Sequence, residues 1–181
     1  MIYHQGPGCS YIEELLYWVF TFEYRWTTIY LETTHLELVK NNITRINDHA
    51  LKNLPNLIYL NLGYNNIYKI SPSAFDELEN LRVLWLDHNL LRSVPDDVFF
   101  ENQETLEQIN LESNQLEFVQ KFMFADLENL KQVFLQHNNI DFIHPKAFHS
   151  NRQISRLFLH GNKLTSINKE WIEKLEALGK Y

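Results

Sequence analysis

The segment Leu57-x-x-Leu60-x-Leu62-x-x-Asn65-x-Ile67-x-x-Ile70 decides the fold, because the chain repeats it. Aligned on the asparagine, the same template runs through Leu81/Leu84/Leu86/Asn89/Leu91/Val94 and Leu106/Ile109/Leu111/Asn114/Leu116/Val119. It recurs in Leu130/Val133/Leu135/Asn138/Ile140/Ile143 and Ile154/Leu157/Leu159/Asn162/Leu164/Ile167. From Asn65 onward the asparagines step by 24, 25, 24 and 24 residues. One period upstream lies a sixth copy at Leu36, Leu38, Asn41, Ile43 and Ile46, with Thr33 in place of the first leucine. A fixed period in this range predicts a stacked solenoid, in which each unit buries its apolar face only against its neighbours.

Each template position has its own physical reason. In L-x-x-L-x-L the fourth and sixth residues alternate, so they point the same way from a short strand. One strand per repeat, stacked about 4.8 Å apart, gives a long parallel sheet. The asparagine falls where the strand ends and the chain turns. Its amide both donates and accepts, so the column Asn41, Asn65, Asn89, Asn114, Asn138 and Asn162 is predicted to satisfy backbone groups that a buried turn strands. Ten residues past each asparagine comes a second column, Leu51, Phe75, Phe99, Phe124, Phe148 and Ile172. These side chains are expected to stack as a spine on the far side, each ring burying about 150–250 Å². Turn and helix-start residues introduce it (Ser71-Pro72-Ser73, Pro95-Asp96-Asp97, His144-Pro145), which predicts short helical or irregular returns. Leu54, Leu78, Leu127 and Leu175 close the coils. The repeat beginning at Leu81 carries one extra residue and a polar return over Phe100–Glu104, so a slight bulge is expected there.

Over about residues 33–175 the chain resembles the leucine-rich repeat family. Its 24-residue unit with an aromatic in the return is similar to the extracellular animal type. The resemblance implies an α/β, right-handed solenoid with the parallel sheet on the concave face and short helices or irregular coils on the convex face. It also implies non-catalytic recognition, in a receptor ectodomain, a matrix or adhesion component, or a secreted immune factor.

Composition narrows the field. With 181 residues, 45% of them apolar, the chain can bury a sizeable core. A formal charge of −7 argues against a nucleic-acid backbone as the main partner. No apolar run reaches the ~18–20 residues that span a bilayer. The apolar stretch Tyr11–Phe22 contains Glu13 and Glu14 and lacks a basic start, unlike a signal peptide. Extracellular repeats of this type usually carry disulfide caps, whereas Cys9 is the single cysteine. That departure from the family pattern reads as a fragment, with Cys9 either an ordinary thiol, a half-cystine without its partner or an intermolecular bridge. Asn42-Ile43-Thr44 is an N-glycosylation sequon.

Residues 1–32 leave the template and are read as an N-terminal cap. Phe20, Phe22, Tyr24 and Trp26 alternate as in a strand or hairpin, and Tyr11–Trp18 suits a short helix. Near the other end, Trp171, Ile172, Leu175 and Leu178 have helical spacing. Residues 176–181 form a tail without a disulfide cap.

Function is sought on the strand positions that face away from the core. Two clusters stand out, Tyr59/Tyr64/Trp85/His88 and Phe134/His137/Arg156/Phe158, separated by the acidic and amide strip Gln108/Asn110/Glu112, with Asp87 the neighbour of Glu112 in one column. Nothing about the scaffold requires aromatics there, and open rings among polar neighbours have the composition of a protein-binding hot spot. The histidines invite a metal reading, but His88 and His137 lie two strands apart, about 9–10 Å. No metalloprotease, nucleophile-elbow or phosphate-loop motif is present, and five glycines leave little material for a phosphate cradle. The expectation is a protein ligand on the concave face, with no cofactor, no metal and no catalysis. The alternative is a self-assembly module, a homodimer paired through the C-terminal end or a side face.

Overall fold

The computed structural model describes residues 2–3, 32–102, 104–166 and 175. Among them, seven short strands make one parallel sheet: β1 (Ile2–Tyr3), β2 (His35–Glu37), β4 (Tyr59–Asn61), β6 (Val83–Trp85), β7 (Gln108–Asn110), β9 (Gln132–Phe134) and β11 (Arg156–Phe158). The remaining strands pair in two small parallel sheets on the return path, β3 (Arg45–Ile46) with β5 (Lys69–Ile70) and β8 (Phe118–Val119) with β10 (Phe142–Ile143). The pairing is in register with the template, since His35, Tyr59, Val83, Gln108, Gln132 and Arg156 lie side by side along the large sheet. A parallel sheet built from identical units has no other register that keeps every leucine inward.

Two columns hold the coils together. On the sheet side, Leu36, Leu60, Leu84, Ile109 and Val133 are buried completely. On the opposite side, Phe75, Phe99, Phe124 and Phe148 stack with ring centroids 6.0, 6.4 and 5.5 Å apart and planes within 16° of parallel. Leu51 heads that spine. Ile172, the aromatic alternation over Phe20–Trp26, the helix expected at Tyr11–Trp18 and all of the C-terminal helix except Leu175 lie outside the described residues. From the segment read as the cap, β1 adds a parallel strand to the edge of β2, with Ile2 beside Leu36.

The asparagine ladder is buried. Asn89 donates from Nδ2 to the carbonyls of Leu62 (3.0 Å), Leu86 (3.1 Å) and Asp87 (3.1 Å), and its Oδ1 accepts from the Ile67 amide at 2.9 Å. Asn65, Asn114 and Asn138 repeat the same four bonds one coil apart. Asn162 holds Leu135 and Leu159 and accepts from Ile140, but it is only half-buried. Each amide therefore ties its own turn to the preceding coil.

The returns are mostly turns. Among the described residues, the helical element of the returns is a 3₁₀ turn, Phe100–Asn102, in the 25-residue repeat. There the extra residue is accommodated, and Asn102 takes a buried place that a leucine fills in the neighbouring coils. Its Nδ2 donates to the Leu78 carbonyl at 2.9 Å, and Asn151 treats Leu127 alike at 3.0 Å. These two asparagines form a minor ladder that the list of apolar returns does not contain.

Candidate functional site

The outward face of the large sheet is laid out by one backbone habit. The residue just before each ladder asparagine is left-handed: Lys40 (φ 57°), Tyr64 (55°), His88 (52°), Ser113 (52°), His137 (58°) and Gly161 (69°). For a residue with a Cβ this conformation costs roughly 1–2 kcal/mol. The adjoining ladder hydrogen bonds offset that cost and lock the turn. Nothing in the template letters announces it, because only one of the six residues is a glycine.

The first predicted cluster resolves into two stacks. Tyr59 meets Trp85 edge-on at 5.8 Å and stacks on His35 at 5.8 Å, while Tyr64 lies flat on His88 with centroids 4.0 Å apart. Lys40 Nζ stands 5.8 Å from the Tyr64 ring. In the second cluster Phe134 and Phe158 stack at 4.8 Å, and His137 meets His160 edge-on at 5.0 Å. The rings are less open than the alternation alone implies. Tyr64 is 49% exposed, but Tyr59, Trp85, Phe134 and Phe158 are half-buried because each covers its neighbour. Arg156 is exposed, and its neighbour on the adjacent strand is Gln132.

The strip between the clusters is bonded to itself. Asn110, proposed from sequence as a contact residue, is buried, and its Oδ1 accepts from the Glu112 amide at 3.0 Å. Asn61 makes the same lock on Gly63. Asp87 is buried too, with Oδ2 3.0 Å from His88 Nδ1. Glycine at position 63 is what admits it, since a Cβ there would come within 2.8 Å of Asp87 Oδ1. Glu112 accepts from Gln136 Nε2 at 2.6 Å. Asn110 and Asp87 are therefore largely covered and bonded within the face, less open than the alternation of the strands implies. Among the described residues no three histidine, cysteine or acidic side chains converge on a metal site.

Charge on this face is balanced. Glu37, Asp87, Glu107 and Glu112 stand against Lys40, Arg82, Lys131 and Arg156. At one margin Lys131 Nζ (2.8 Å) and Arg82 Nη1 (3.1 Å) flank the Glu107 carboxylate. The hydrogen bond from Lys131, together with the two positive charges, holds the Glu107 pKa below its ordinary value against the opposing effect of burial. A carboxylate with a lower pKa folded than unfolded stabilises the fold above the ordinary glutamate range, and loses that contribution as pH falls through the lowered value. Glu107→Gln is expected to melt below the wild type at neutral pH, by about 1 kcal/mol or less, and to converge with it once the pH has fallen below the lowered Glu107 pKa. A gap that persists in acid would mean that the side chain acts by packing.

Models of the leucine rich repeat family match residues 32–91, 79–140, 104–164 and 128–180. The chain belongs to the leucine-rich repeat family. No curated protein matches the sequence significantly. Among solved structures, this leucine-rich repeat chain is similar to the crystal structure of a TLR13–ssRNA13 complex, with a TM-score of 0.79 and 25% identity over 84% of the chain. The chain spans 21% of the length of that relative. No helix among the described residues is long and apolar enough to cross a membrane.

Proposed function

We propose that this chain is a non-catalytic recognition module that binds a protein partner through the concave strand face. One observation carries the reading: stacked aromatic pairs stand on a rigid sheet at positions the scaffold leaves free, on both sides of a polar strip that is already hydrogen-bonded. Rings fixed by one another lose little side-chain entropy on binding, which suits hot-spot residues. An extracellular or ectodomain setting accords with the family resemblance, and the exposed Asn42 would then be open to glycosylation.

Single-stranded RNA is the second reading, because the TLR13 complex contains it. Stacked rings suit bases, but a backbone polyanion needs a positive groove. This face has as many carboxylates as cations, and the chain carries −7.

The test uses Trp85→Ala/Phe134→Ala immobilised beside the wild type. Truncating half-buried rings is expected to cost about 1 kcal/mol of stability each while reducing retention of protein ligands from a native extract about tenfold or more. A single-stranded oligoribonucleotide forms the other arm and is expected not to bind at physiological salt. Salt-sensitive RNA binding lost in the double variant would replace the protein reading with the RNA one. Loss of folding in the variant would show the rings to be core and end both.

A further inference from the structure

The 25-residue repeat builds a feature that the concave face does not involve. Beside the 3₁₀ turn lies a cavity of about 230 Å³, floored by Phe99 and Met123, walled by Phe100 and Phe122, and rimmed by Asp96, Asp97 and Asp126. Phe100 is 60% exposed and Phe122 44% exposed. At the place of Phe100 the other coils carry Lys52, Asp76, Ala125 and His149, and at the place of Phe122 they carry His49, Ser73, Asp97 and Lys146. The scaffold therefore demands no ring at either position. Two exposed rings bracketing an apolar hollow are a contact surface in search of a cover.

The rim indicates what covers it. None of the three carboxylates forms an ion pair with a basic side chain of the described residues. The nearby cation, Lys121, instead stands 4.3 Å from the Phe122 ring centroid, so this ring already attracts positive charge through its face. The hollow is smaller than the ~300–1,000 Å³ of small-molecule sites, and matches one long side chain with its neighbours. We propose that this cavity, on the return path of the solenoid, binds a basic aliphatic segment of a protein partner. An arginine or lysine lays its methylene stem along Phe100 and Phe122 and its charge reaches Asp97 and Asp126. The site is independent of the strand face, so each can fail without the other.

A labelled hexapeptide alternating arginine and leucine is titrated by fluorescence anisotropy against the full chain, with glutamate replacing arginine in a control peptide. Saturable binding is expected for the basic peptide alone, weakening about tenfold in Asp97→Asn/Asp126→Asn and in Phe122→Ser, and weakening with added salt. Asp97 and Asp126 are exposed, and asparagine tolerates the left-handed backbone of Asp126 (φ 62°). The carboxylate pair thus keeps the test decisive if Phe122→Ser melts early. Trp85→Ala/Phe134→Ala is expected to bind the peptide normally. Absence of saturation at millimolar peptide, equal binding of the glutamate control, or loss only in the concave variant would each overturn the proposal.

Discussion

Asn89→Ala is expected to lower the unfolding free energy by about 3–5 kcal/mol, more than any substitution on the concave face. The amide holds three carbonyls, those of Leu62, Leu86 and Asp87, and one amide hydrogen, that of Ile67. It is 4% exposed, so water cannot replace it without opening the coil. Each group left unsatisfied costs about 1–3 kcal/mol. The sum is bounded because the turn can relax outward. Asn162→Ala serves as the internal comparison. Its side chain is half-buried and two of its bonds go to Leu135 and Leu159, so solvent recovers part of the loss. Urea melts of the two variants should differ by more than about 1 kcal/mol in unfolding free energy. Equal midpoints would mean that the ladder is decorative, and that the leucines alone set the coil.

The second large effect belongs to the spine. Phe124→Ala should cost about 3–5 kcal/mol, because the ring is fully buried and lies between Phe99 at 6.4 Å and Phe148 at 5.5 Å. The hole would unsupport both neighbouring coils, since each repeat is stabilised mainly by the interfaces it shares. Phe124→Leu refills most of the volume and should recover more than half of the loss. Thermal melts of the pair decide it: a leucine variant no better than alanine would mean that ring stacking, not volume, stabilises this side.

The sequence displays these two features because they are periodic. A requirement imposed once per coil is written six times, and Asn89 or Phe124 could be picked out by phase alone. What periodicity does not write is local geometry. Asn110 and Asp87 alternate with leucines like any outward residue, yet Asn110 folds back onto the Glu112 amide and Asp87 settles over Gly63. A polar side chain near a turn can bond its own backbone or face solvent, and one letter does not say which. The half-burial of Trp85 and Phe134 comes from neighbours a full coil away in the chain, Tyr59 and Phe158, which only the register brings alongside. The extra residue and polar return of the 25-residue repeat suggest a bulge but not the cavity beside Phe100. Its walls depend on Phe122, which belongs to the next coil.

The left-handed residue before each ladder asparagine has a consequence for how such a molecule changes over generations. Lysine, tyrosine, histidine, serine and glycine all occupy that place with nearly the same φ. Backbone conformation there is imposed by the turn, whatever side chain happens to stand on it. New specificities can therefore be tried one at a time at the five places that already carry a side chain, whereas at Gly161 a Cβ would come within 2.5 Å of His137 Nδ1.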